Sequence, residues 1–245
     1  MASIVSAFTT LLFFVLCLAE ISFAQTYVIL AFGDSITQGL KRDSEGTIYA
    51  IVSPPNGERT SDGYEPDLEN EFSDHTSHEA LVYNWGYWGE RSYQGVNRID
   101  SVLDSRVADF ILIMEGANDL YEGVSAATTK ANLQIMIEKS RLKNTLPIIA
   151  TITPNTARYD GDLIPVSYNP AIKDLAVETE VALSDQYEAL VVDWTGYNSG
   201  DNLHLNDVGE QVVARTWFET ILDNGLISPN PETISIVPIL NLLLD

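Results

Sequence analysis

Cysteine is almost missing from this chain: Cys17 is the only one in 245 residues. It lies in an N-terminal apolar stretch, so the rest of the chain can rely on neither disulfides nor thiolate-bound metal, and packing must hold it together. Cations are scarce as well, with 13 Lys and Arg against 35 Asp and Glu and a formal net charge of -22. That acidity repels phosphate backbones and anionic lipid, which argues against nucleic-acid binding. The apolar run at 11–18 is shorter than the roughly 20 residues a spanning helix needs, so stable membrane insertion is not expected either. No glycine-rich loop carrying a lysine follows any apolar run, which removes the phosphate-cradling motif of nucleotide chemistry.

What the N-terminus does contain is that short apolar run followed by Ser22-Phe23-Ala24, small residues where a signal peptidase reads. Residues 1–24 are therefore expected to be a signal peptide cut after Ala24, giving a secreted or periplasmic protein, although no Lys or Arg precedes the run. Residues 25–228 are expected to form one domain, and 229–245 a Pro-rich, then apolar tail that docks on it.

Within the domain the run Tyr27-Val28-Ile29-Leu30-Ala31-Phe32 is apolar throughout, as in a strand buried on both faces of a parallel sheet. Further short runs lie at 81–83, 110–114, 148–152 and 190–192. Stretches with helical spacing separate them, at 64–72, 92–103, 125–142, 170–187 and 206–222, with Ser92 and Ser125 as the clearest caps. Alternation of this kind predicts an α/β fold of three layers, α/β/α, around a five-stranded parallel sheet, with functional groups at the carboxyl ends of strands. Residues 40–62, polar and rich in Gly, Pro and Ser, read as a long loop beside that edge.

The tips hold the chemistry. After the first run comes Gly33-Asp34-Ser35-Ile36-Thr37, after the second Asn84-Trp85-Gly86-Tyr87-Trp88-Gly89, after the third Gly116-Ala117-Asn118-Asp119, and after the fifth Asp201-Asn202-Leu203-His204. A serine alone is usually a turn residue or a cap. A histidine three residues after an aspartate, however, can be oriented by it and stay free to take a proton from a serine.

These four blocks, in this order, resemble the SGNH (GDSL-type) hydrolase family, named for Ser, Gly, Asn and His in separated blocks. The similarity runs from about residue 27 to 222. Also similar is Asp62-Gly63-Tyr64-Glu65-Pro66-Asp67-Leu68, like the helix start that often follows the nucleophile block. The resemblance implies a flavodoxin-like sheet and a serine esterase acting on carboxylic acyl esters. Ser35 would be the nucleophile, His204 the acid/base and Asp201 its orienting group. The amides of Ser35 and Gly89 with the Asn118 side chain would form the oxyanion hole, without cofactor or metal. The second block departs from the pattern with Glu90-Arg91 where many relatives have Asp and Thr, which touches substrate preference. Gly-x-Ser-x-Gly is absent because Thr37 replaces its second glycine, so the α/β-hydrolase elbow fits poorly.

Other residues have plainer readings. Asp34 is expected to cap its turn and Asp119 to brace the Asn118 loop through backbone amides. His75 and His78 read as a solvated loop rather than a metal site. Trp85, Tyr87 and Trp88 could pack the sheet's end or line an acyl or sugar pocket, and Thr153-Pro154-Asn155 and residues 160–167 could wall it. The substrate would be a small-molecule, lipid or carbohydrate acyl ester. The alternatives are a carbohydrate O-acetylesterase and, from a different class, a non-catalytic carbohydrate- or surface-binding module.

Overall fold

The computed structural model describes residues 24–52, 57–157 and 168–229. Strand β1, Thr26–Gly33, lies between β4, Glu79–Gly86, and β5, Phe110–Met114. Beyond β5 come β6, Leu146–Ala150, and β7, Ala182–Ser184, in the order β4-β1-β5-β6-β7, with every pairing parallel. The order reverses at β1, so the tips of β4, β1 and β5 open side by side at the switch point where ligands bind in such sheets.

Helices cover both faces, giving three layers, α/β/α. On one side α2, Ser92–Leu103, packs on α4, Ala126–Leu142, and α4 on α5, Tyr168–Thr179. On the other, α1, Glu65–His75, and α6, Gln186–Val191, pack on α8, Asp207–Asp223, as does α7, Trp194–Tyr197. Short α3, Ala117–Glu122, follows the β5 tip. The side chains of β1 from Ile29 onward and all those of β5 are buried because helices cover both faces, with Phe32, Ile111 and Leu112 meeting no solvent.

Three expectations needed correction. The apolar run 190–192 is not the fifth strand: Leu190 is a buried position on α6, and the strand is Ala182–Ser184, inside what reads as one long helix at 170–187. Three residues are too few for a periodicity to register, and pairing with β6 fixes them as a strand. The stretch 40–62 is not simply loop either, since β2, Lys41–Arg42, and β3, Ile48–Ala50, form an antiparallel hairpin. The caps divide: Ser125 accepts the Thr128 amide at 3.2 Å, whereas Ser92 is the first residue of α2 and Arg91 is its cap. Residues 1–23, 53–56, 158–167 and 230–245, with nearly all of the expected signal peptide and tail, lie outside the described residues. Among the described residues no helix is long and apolar enough to cross a membrane.

Candidate active site

Ser35 follows β1 in a tight turn. The Gln38 amide donates to the Asp34 carbonyl and the Leu40 amide to that of Ser35, each at 3.0 Å, while the Ile36 amide donates to Asp34 Oδ1 at 2.9 Å. The turn projects the Ser35 hydroxyl onto His204, with Oγ to Nε2 at 2.9 Å. On the other side of the ring Nδ1 lies 2.6 Å from Asp201 Oδ2. The amides of Leu203 and His204 both donate to Asp201 Oδ1, at 3.0 and 2.8 Å. Asn202 takes a left-handed φ of 61°, tolerable for Asn, which folds the loop so that Asp201 and His204 face each other. Burial works to raise the Asp201 pKa, but the bonds and charge from His204 and the Leu203 amide outweigh it and hold the carboxyl below its ordinary value.

The β4 tip is laced to the serine turn. Asn84 Nδ2 donates to the Thr37 carbonyl at 2.7 Å, the Tyr87 amide to Gly33 at 2.8 Å and the Trp88 amide to Gln38 Oε1 at 2.7 Å. This closeness needs Gly86, where a Cβ would fall 2.2 Å from the Gln38 nitrogen. Gly89 adopts φ +73° with open space where a Cβ would be, so the left-handed backbone, not crowding by the described residues, calls for glycine. One residue on, the Glu90 carbonyl accepts from Asn118 Nδ2 at 2.9 Å, and Asp34 Oδ2 accepts from the same nitrogen at 3.2 Å. The structure thus brings Ser35, His204 and Asp201 into one hydrogen-bonded chain, and joins Asn118 to the serine turn and to the residue after Gly89. A hydroxyl bonded to an imidazole that is itself bonded to a carboxylate can act as a nucleophile with its base.

The family profile of the GDSL-like lipase/acylhydrolases matches residues 31–212, which takes in all of these tips. The chain belongs to this family. It is an ester-hydrolysing enzyme, as that family's members are. No curated protein matches the chain. Solved structures share the fold of this GDSL-like chain at low identity. The lipase/acylhydrolase from Enterococcus faecalis has a TM-score of 0.67 at 20% identity over 83% of this chain and 98% of its own. Psychrotrophic esterase EstA from Pseudoalteromonas sp. gives 0.61 at 18% over 80% and 96%, and a catalytic mutant of the acetylxylan esterase Axe2 from Geobacillus stearothermophilus gives 0.65 at 17% over 81% and 95%.

Other residues singled out in this GDSL-like sequence take definite places. Asp34 caps its turn as expected and also meets Asn118. Burial pushes its pKa up to about 7 against the Ile36 bond, and the charges of Glu90 and Asp119 add to the rise. Asp119 braces a different contact from the one expected: it accepts the Ser92 amide at 2.9 Å, the Ser92 hydroxyl and the Thr129 hydroxyl, tying α3 to α2 and α4. His75 ends α1 beside Glu71 and Arg215. His78 is buried rather than solvated, with Nδ1 accepting the Gln25 amide at 3.2 Å and Nε2 near Ser228 Oγ. Among the described residues no three His, Cys, Asp or Glu side chains are grouped to hold a metal ion. Trp85 packs on the core with Gly57 against its indole, whereas Tyr87 and Trp88 are half exposed, with Arg42 stacked 5.0 Å from the Trp88 ring centroid. Thr153 and Asn155 are buried, and Asn155 bonds the Tyr121 hydroxyl.

Sequence reasoning missed two groups. Lys41, from the hairpin, is buried against Asp207 and Glu210 of α8 at 2.5 and 2.7 Å. Glu90 and Glu115 are buried beside the half-buried Arg98, in a cluster next to Asn118. Charged side chains usually mark solvent, and no local spacing could have signalled either group.

Proposed function

We propose that this chain is an exported serine esterase that hydrolyses carboxylic acyl esters through Ser35, His204 and Asp201. The hydrogen-bonded line from Ser35 Oγ through the His204 ring to Asp201 carries the reading. Ser35 Oγ attacks the acyl carbon while His204 Nε2 takes its proton, and the resulting oxyanion is received by the amides of Ser35 and Gly89 and by Asn118 Nδ2. Both amide hydrogens of Asn118 are engaged in the resting site, and the longer bond, to Asp34, is the one exchanged for the oxyanion. The tetrahedral intermediate collapses and the alcohol leaves with the proton from His204. Water, deprotonated by the same ring, then releases the acid and restores the serine. None of these steps calls on a cofactor.

Replacing Ser35 by Ala is the test. Turnover of a short chromogenic ester is expected to fall to the background of the purified protein; near wild-type turnover would refute the nucleophile. Export rests on the apolar run and Ser22-Phe23-Ala24, and N-terminal sequencing of the protein recovered outside the cytoplasm is expected to begin at Gln25. The domain boundaries 25–228 and 229–245 are part of this reading.

A second substrate reading, a carbohydrate O-acetyl ester, is favoured by the half-exposed rings of Tyr87 and Trp88 next to Gly89, since such faces stack on sugar rings. The fold likeness to an acetylxylan esterase is consistent with it. Rates across acyl lengths separate the two, because a deacetylase pocket rejects chains much longer than acetate.

A further inference from the structure

Behind the Asn118 amide lies a buried carboxyl that the triad does not use. Glu115 ends the β5 tip, immediately before Gly116 and three residues before Asn118, and is 2% exposed. Neither of its carboxyl oxygens meets an N–H or O–H donor. The group within hydrogen-bonding reach is a second carboxyl, that of Glu90. Two carboxylates in contact and out of water cannot both stay charged, so one must hold a proton and donate it to the other.

Arg98 decides which. From α2 its guanidinium clasps Glu90, with Nε to Oε1 at 2.7 Å and Nη2 to Oε2, while it lies 4.1 Å from the Phe32 ring centroid. The negative charge therefore sits on Glu90 and the proton on Glu115. The surroundings of Glu115 agree. The tips of β1 and β4 present Asp34 and Glu90 to it, and α2 presents Arg98. Burial first, then the charges of Glu90 and Asp34, push Glu115 well above the usual carboxyl range, with Arg98 pulling the other way. From α3, Asp119 adds its charge to the field at Asp34. Apolar groups stand close by: a Cβ on Gly95 would come within 2.8 Å of the Met136 methyl, 3.3 Å of the Phe32 ring and 3.5 Å of Glu115 Oε1.

Glu90 links this cluster to the site. Its carbonyl accepts the Asn118 amide, and its own peptide nitrogen follows Gly89. That nitrogen donates to the Tyr87 carbonyl at 3.0 Å, so whatever fixes the Glu90 side chain also fixes the backbone that follows the Gly89 amide and the carbonyl that holds Asn118. We propose that Glu115 is a positioning residue: as a neutral acid it donates to the Glu90 carboxylate, and so fixes Glu90 and, through its backbone, holds the neighbouring Gly89 amide and the Asn118 side-chain amide where they receive the oxyanion. This inference rests on the serine-esterase reading. A carboxylate at Glu115 would instead repel Glu90 and oppose the negative charge that builds up during acyl transfer, so the loss falls on kcat rather than KM.

The test compares Glu115→Gln, which keeps a donor of the same shape, with Glu115→Leu, which has none, using kcat and KM on a short chromogenic ester. Circular dichroism checks the fold. Glu115→Gln is expected to hold kcat within about threefold. Glu115→Leu is expected to lose roughly tenfold or more in kcat with KM little changed, as a displaced catalytic donor does. Infrared spectra in H2O and D2O at neutral pH read the proton directly: the wild type is expected to show a deuterium-sensitive carboxylic-acid carbonyl band that Glu115→Gln lacks. Wild-type kcat in Glu115→Leu, equal losses in the two variants, or identical infrared bands in wild type and Glu115→Gln would each overturn the proposal. If Glu115→Leu does not fold, the infrared comparison and the Glu115→Gln kinetics still decide. Failure of the esterase reading looks different, because turnover would then survive Ser35→Ala whatever stands at 115.

Discussion

His204 has both ring nitrogens committed, Nδ1 to Asp201 and Nε2 to Ser35. With Asp201 ionised, Nδ1 carries the hydrogen and the Nε2 lone pair faces the serine hydroxyl, which is the tautomer a general base needs. Asp201 does this through one oxygen and clamps the loop through the other, so its loss should damage both orientation and loop geometry. Replacing Asp201 by Ala is expected to lower kcat by on the order of 10⁴-fold, less than the 10⁶-fold scale expected for His204→Ala. Single-turnover rates on an activated ester check the ranking. Asn118→Ala is expected to cost roughly 10² to 10³-fold in kcat with KM little changed, because in the proposed mechanism its amide meets the oxyanion only as the intermediate forms. An unchanged kcat would remove Asn118 from the oxyanion hole.

Among the elements, the β2–β3 hairpin and the start of α8 deserve to be considered together, since α8 begins three residues after His204. Lys41 joins them. Burial works against its charge, yet bonds and attraction from Asp207 and Glu210 raise its pKa to about 12. Burial also dominates at Glu210, which is pushed up to about 7 in spite of Lys41, with the charges of Asp207 and Asp62 adding to the rise. The two shifts are compatible because one cation serves several carboxylates. Removing the cation as Lys41→Met is expected to destabilise the fold by about 3 kcal/mol at pH 8, the scale of a broken buried pair. The loss should shrink at pH 5.5, where Glu210 can take up a proton, and urea titrations at the two pH values measure it. At the β4 tip, Gly86→Ala would drive a Cβ to 2.2 Å from the Gln38 nitrogen and 2.6 Å from the Thr37 carbonyl carbon. Both are backbone atoms that cannot swing aside, so a loss of about 3 kcal/mol is expected together with lower activity, since the serine turn must move.

The molecule as a whole carries a net charge of -22 and buries several carboxyls whose pKa values lie above their ordinary ones, Asp34 and Glu210 at about 7 and Glu65 and Glu115 pushed well above the usual carboxyl range by burial. A carboxyl with a raised folded pKa binds its proton more tightly in the folded state. Its stabilising contribution is complete below the unfolded value near 4 and is lost as pH rises through about 7. Asp201, held below its ordinary value, acts oppositely, and its contribution disappears only as pH falls below about 4. The urea midpoint is therefore expected to be higher at pH 5.5 than at pH 8, by on the order of a few kcal/mol in stability. Added salt should narrow the difference by screening the surface repulsion that also grows with pH. A midpoint that rises from pH 5.5 to pH 8 would contradict this accounting.

Much of the architecture was legible because a parallel sheet buries its central strands on both faces, which leaves unbroken apolar runs such as 27–32 and 110–114 with polar tips behind them. Three of the blocks could be read for the same reason, as polar groups at the end of an apolar strand, whereas Asp201–His204 lies between α7 and α8 rather than at a strand tip and was legible only through its Asp-x-x-His spacing. Local pattern failed wherever partners distant in sequence made the decision. Residues 182–184 are a strand only because β6 pairs with them, and Leu190 is apolar because α6 turns it inward. Ser92 looked like a cap until Asp119, 27 residues on, took its hydroxyl. The ionisable side chains of Lys41, Glu90 and Glu115 gave no hint of burial, because such a group enters the interior only when folding supplies it with a partner or leaves it neutral. Sequence by itself determined the strand–helix alternation and the chemical types at the strand ends. Tertiary structure alone decided which of those groups touch and which carboxyls lose their water, since both depend on strand order and helix packing that no short stretch of chain encodes.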